Sequence, residues 1–133
     1  MYIKKGLTKG NLEALYIMAF RLYEAERTLD ALHCFKLMAL LNALDKRAWF
    51  GCAACFEILK RYGAAIGCYE AASAIDINDL IPLLRIFHCY LESNQKNQAL
   101  LALDNAIEAA EKHGHLYSEL KEHAINMKNI LGK

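Results

Sequence analysis

Apolar and polar positions along this chain alternate with the period of helices that bury one face, and the pattern recurs at a longer spacing. Large residues stand at Trp49, Phe56 and Tyr69, and small ones at Ala53, Ala65 and Ala72. Two packed antiparallel helices need that mixture, because bulky side chains fill the gap and small ones let backbones approach. The segment Lys46–Asp79 is one copy of a unit with a 34-residue period, the period of the tetratricopeptide repeat. Shifted by one period each way, Trp49 falls on Leu15 and Leu83, Phe56 on Leu22 and Tyr90, and Ala65 on Ala31 and Ala99. Tyr69 falls on Phe35 and Leu103, and Ala72 on Met38 and Ala106. Asn11, Asp45 and Asp79 keep the same spacing, and each suits a helix N-cap, whose side-chain oxygen accepts from a first-turn N–H.

The pattern predicts an all-α solenoid of three tandem tetratricopeptide-like helix pairs and a C-terminal capping helix. A lead-in over 1–10, with two glycines and three lysines, is expected to be irregular. A single domain then spans 11–131, with repeats at about 12–45, 46–79 and 80–113 and the cap at about 116–131. Pro82 suits a first helical turn, where its missing N–H costs nothing, and Gly114 is expected to stop the sixth helix. Phe87 replaces the small residue of Ala19 and Ala53, so the third repeat is expected to pack more loosely.

The first helix of each pair lines the concave face of such a stack. Tyr16, Phe20 and Tyr23, at i, i+4 and i+7, form a second stripe on the first helix that points into the concavity. Repeat geometry adds Phe50, Ala54 and Glu57 in the second unit and Leu84, His88 and Leu91 in the third. The candidate groove is therefore Tyr16, Phe20, Tyr23, Phe50, Leu84 and His88, apolar and poor in charge. An exposed stripe of this kind marks a docking surface. The alternative is that the three aromatics are core, buried by the N-terminal segment or by tight curvature.

Composition narrows the classes. Hydrophobic residues make up 56% of 133 residues, a surplus that a small helical chain would keep for a partner. A net charge of +1, with 16 basic and 15 acidic residues, supplies no field for nucleic acid or acidic lipid. No apolar run reaches the length of a membrane span, so membrane insertion is not expected. Five cysteines at helix-interior positions read as reduced thiols. Cys52-x-x-Cys55 lies mid-helix, not at a helix start where the dipole would activate a thiol. His33-Cys34 and His88-Cys89 are not joined by a second closely spaced pair, so neither metal nor cofactor is expected. Without a phosphate-binding glycine loop or a nucleophile elbow, the chain does not read as an enzyme.

Leu15-Tyr-Ile-Met-Ala-Phe-Arg-Leu-Tyr, Ala31-Leu-His-Cys-Phe, Trp49-Phe-Gly-Cys-Ala-Ala-Cys, Ala65-Ile-Gly-Cys-Tyr and Ala71-Ala-Ser-Ala-Ile-Asp resemble the type III secretion chaperones of hydrophobic translocator proteins. The resemblance covers about 11–131. It implies a cytoplasmic bacterial chaperone without enzymatic activity. Its concave groove would hold a short extended N-terminal segment of a translocator, preventing aggregation and premature association before export. Tyr16, Phe20 and Tyr23 match groove-lining aromatics of that family, and Phe50 is placed with them. Members usually carry a longer N-terminal region with an extra helix implicated in dimerisation. Only ten residues precede the first repeat here, in a naturally short or a trimmed chain, so a homodimer is left open. The rival reading is a tetratricopeptide adaptor, or a chaperone of a needle, inner-rod or other secretion-apparatus subunit.

Overall fold

The computed structural model describes residues 9–114 and 118–132, which hold seven helices and no strand. They are α1 (Lys9–Glu24), α2 (Thr28–Leu41), α3 (Lys46–Ile58), α4 (Tyr62–Ile75), α5 (Ile81–Glu92), α6 (Lys96–Lys112) and α7 (Ser118–Leu131). Each packs against the next in sequence, and α1 also reaches α3, as the turns of a solenoid do.

The 34-residue period is visible in the backbone. Glu26, Lys60 and Asn94 occupy the left-handed region, with φ of 63°, 59° and 60°. At these turns the N–H of Arg27, Arg61 and Gln95 donates to the carbonyl of Leu22, Phe56 and Tyr90, at 2.9, 2.8 and 2.8 Å. The N–H of Glu26, Lys60 and Asn94 donates to Tyr23, Glu57 and Leu91. This paired closure satisfies carbonyls that the helix end leaves open. The second kind of turn also repeats. Asn42 and Asp76 accept from Leu44 and Asn78 through their side chains, each at 3.1 Å. Asp45 and Asp79 accept from the N–H of Arg47 and Ile81, at 3.1 and 3.0 Å. Lys46 then ties the two turns together, with Nζ 3.0 Å from Asp76 and 2.9 Å from Asp79.

The core follows the same register. Ala31, Ala65 and Ala99 are fully buried, and Phe35, Tyr69 and Leu103, four residues on in each unit, are buried with them. Met38 and Ala72 are fully buried and Ala106 nearly so. Pro82 sits in the first turn of α5, and Gly114, with φ of 61°, follows the end of α6. Phe87 is buried and lines the cavity that α7 borders.

Two expectations are corrected. Asn11 does not cap the first helix; it lies inside α1, which already includes Lys9 and Gly10. Packing of an apolar face outweighs the poor propensity of one glycine. At the third repeat Asp79 does accept from Ile81, but α5 begins at Ile81 with Leu80 as the flanking residue. The remainder of the expected lead-in, residues 1–8, lies outside the described residues, as does Leu116 of the expected cap.

Candidate functional site

An apolar cleft of about 360 Å³ opens where α1, α2 and α3 meet. Tyr16, Phe20 and Tyr23 form one wall, Phe50 and Ala54 another, and Phe35 with Gly51 the floor. The α1 stripe is continuous: ring centroids are 6.1 Å apart for Tyr16–Phe20 and 6.5 Å for Phe20–Tyr23. Tyr16 also leans on Phe35 at 6.4 Å. Phe20 is 44% exposed, while Tyr16, Tyr23 and Phe50 are half-buried. Among the described residues the stripe borders an open cleft on one side, while Tyr16, Tyr23 and Phe50 pack against the buried core on the other.

Arg47 forms the polar edge. Its guanidinium lies 4.5 Å from the Tyr16 ring centroid, an attractive cation–π contact. It donates to Asp45 at 3.0 Å and to Glu13 at 3.0 Å, so two carboxylates hold it over the ring. The Arg47 hydrogen bond keeps the Asp45 carboxyl below the usual carboxylate range.

Leu84 and His88 lie elsewhere. They border a second cavity of about 330 Å³ between α5, α6 and α7, opposite Leu120, His123 and Met127. The six candidates thus divide between two clefts, four in the first and two in the second. Glu57, expected to point into the groove, pairs with Arg85, and its side chain is only 12% exposed. Cys89 Sγ donates to its other oxygen at 3.1 Å, and Arg85 Nε donates to the Tyr69 hydroxyl at 3.4 Å. Burial and then the bond to Glu57 push the Cys89 thiol up to about 12, and burial pushes Tyr69 up to about 12.

Sequence reasoning missed Phe35, Arg47 and Gly51 as cleft residues. Phe35 was assigned wholly to the repeat core. Gly51 carried a signal: glycine in a helix interior costs about 1 kcal/mol against alanine, and something must require it. A Cβ there would lie 2.2 Å from Phe35 Cδ1.

Cys52 and Cys55 do not form an activated pair, although the hydrogen bond with Cys52 lowers the Cys68 thiol. A hydrogen bond to Cys68, and then burial, push Cys52 far above the usual thiol range, and burial pushes Cys55 up to about 11. A redox or nucleophilic thiol needs the opposite shift. Among the described residues no three His, Cys, Asp or Glu side chains cluster as metal ligands, and no helix is long and apolar enough to cross a membrane.

No protein-family model matches the chain. Low calcium response locus protein H of Yersinia pestis is 27% identical over 93 residues, covering 70% of this chain and 55% of that protein. The chain thus spans about half the length of the curated relatives it matches. Among solved structures, the type III secretion translocator chaperone SycD of Yersinia enterocolitica superposes with a TM-score of 0.79. It is 24% identical, and the match covers 96% of this chain and 88% of SycD. PcrH, a Pseudomonas aeruginosa protein, in complex with the chaperone binding region of PopD superposes at 0.81 with 26% identity. That match covers 96% of this chain and 95% of PcrH. SycD is a type III secretion translocator chaperone, and PcrH is seen with the chaperone binding region of PopD, in line with the sequence resemblance.

Proposed function

We propose that this protein is a cytoplasmic chaperone of a type III secretion system, a binding protein without catalytic activity. It takes a short extended apolar segment of a hydrophobic translocator into the aromatic cleft of α1, α2 and α3. The observation that carries the reading is that cleft: three neighbouring aromatic side chains on one helix, left open in a fold shared with PcrH, which binds the chaperone binding region of PopD.

The mechanism follows from the surface. A translocator exposes apolar segments that aggregate in water. An apolar anchor that enters the cleft leaves water against Tyr16, Phe20, Tyr23 and Phe50, and each buried anchor contributes about 1.5–3 kcal/mol, less the cost of ordering the client. Arg47 keeps Tyr16 in place. Leu84 and His88, on the second cavity, give a further contact for the same client. Binding holds the client by mass action, and release follows when the export apparatus competes. In this reading the successive helix pairs are tetratricopeptide-like repeats at about 12–45, 46–79 and 80–113, closed by α7.

The test is titration of extended translocator peptides, each with spaced apolar anchors, into the wild-type protein and the Tyr16/Phe20/Tyr23 triple alanine variant. Saturable binding that falls by about a hundredfold or more in the folded variant supports the reading. Equal affinity in the two proteins sinks it.

A further inference from the structure

The first two helix junctions of the stack are built on one register but differ in whether they are open. In the first, Tyr16 leans on Phe35 and Tyr23 stands across from Gly51. One period on, Phe50 leans on Tyr69 with centroids 5.8 Å apart, Glu57 replaces Tyr23, and Arg85 replaces Gly51. The aromatic contact is kept and the third position changes from no side chain to the longest one.

We propose that this register position is a specificity determinant that sets where a client side chain enters: Gly51 holds the first junction open, and Arg85 fills the second. The inference rests on the chaperone reading for the word client, but the aperture itself stands on contacts. A Cβ at position 51 would lie 2.2, 2.3 and 2.4 Å from three atoms of the Phe35 ring. No side-chain contact is that short, so the ring has to move. Phe35 is only 3% exposed and borders the cleft beside Tyr16, so the free direction is into the cleft. At position 85 the guanidinium reaches back across the junction to Glu57 and the Tyr69 hydroxyl, the register counterparts of Tyr23 and Phe35. The space open in the first junction is occupied in the second by a neutralised ion pair. Arg85 itself lines the cavity at Leu84 and His88, and that cavity shares no lining residue with the first cleft. A client with two apolar anchors has to cross this polar stretch with chain that exposes hydrogen-bonding groups.

The experiment measures binding of the fluorescent apolar probe 1-anilinonaphthalene-8-sulfonate, with thermal unfolding recorded in parallel. The variants are Gly51→Ala, Phe35→Leu/Gly51→Ala and Glu57→Gln/Arg85→Gly. Gly51→Ala is expected to weaken the probe about tenfold, and the added Phe35→Leu to recover most of it by removing the obstructing ring. Glu57→Gln/Arg85→Gly is expected to gain a second probe site. A folded Gly51→Ala protein that binds the probe as tightly as wild type overturns the proposal, as does a folded double variant with no added site. If one variant fails to fold, the other decides alone. Loss of fold in both assigns the position to packing only and overturns the proposal. A translocator peptide titrated alongside separates the two readings: no peptide binding by wild type, with the probe pattern as expected, removes the chaperone and leaves the aperture.

Discussion

The junctions of α1/α2/α3 and α3/α4/α5 use one backbone plan for opposite ends. Both place an aromatic residue from the first helix of a pair against one from the second, Tyr16 on Phe35 and Phe50 on Tyr69. The first then leaves a cleft of about 360 Å³. The second fills the corresponding volume with Arg85, Glu57 and Cys89, joined by hydrogen bonds. A repeat protein can therefore separate scaffold from recognition. Scaffold resides in positions that repeat, and recognition in positions where the repeat is broken.

The largest expected effect tests the shared part. Phe35→Ala should lower unfolding free energy by about 3–5 kcal/mol, because the ring is core as well as cleft floor. Tyr69→Ala should cost a similar amount, and a loss below about 1 kcal/mol at either position in denaturant titration would break the equivalence.

Next comes the part that differs. Arg85→Met strands the Glu57 carboxylate, which is 12% exposed, and should cost about 2 kcal/mol. Replacing both partners with leucine should recover most of it, since an apolar pair leaves no charge unpaired. A double variant as unstable as the single one would show that the pair does more than fill space.

The junctions should also respond to opposite ends of the pH scale. Tyr69 titrates at about 12 in the fold, above its ordinary 10.0. Its contribution is intact below the unfolded value and is lost as pH rises from about 10 to 12, by roughly 2–3 kcal/mol. Tyr69→Phe should remove that part of the alkaline loss. Asp45 is shifted down by Arg47, so its contribution is present above the unfolded carboxylate value and is lost as pH falls through the lowered one. Arg47→Met should flatten the acid limb of the stability profile and leave the alkaline limb alone.

The smallest effects compare glycines. Gly51→Ala should destabilise by about 1–2 kcal/mol through overpacking against Phe35. Gly67→Ala on α4 has open space around its Cβ position and should stabilise by about 0.5–1 kcal/mol. Equal signs in thermal unfolding would show that the close approach at Gly51 is relieved without cost.

Much of this was legible beforehand. Alternation of large and small residues at a fixed period marked out the helices, because a repeat must present the same packing face each time. Tyr16, Phe20 and Tyr23 were found by i, i+4 spacing, which puts side chains on one face whatever surrounds them. Other assignments depended on distant residues. Glu57 had two candidate partners from its register, Arg85 or a lysine of a client, and only the packed helices show that Arg85, 28 residues on, takes it. Leu84 and His88 kept their register but face a separate cavity, because α7 packs beside them with Ala124 buried. Asn11 had the chemistry of a cap and the wrong place, since α1 includes Lys9 and Gly10.

The sequence by itself determined the all-α repeat, its period and the aromatic stripe, since these depend on local spacing and on which faces must leave water. Only the tertiary structure decided which junction is open. That choice rests on whether side chains from three helices meet in the same space, and neither the Phe35 ring beneath Gly51 nor the reach of Arg85 to Glu57 follows from periodicity.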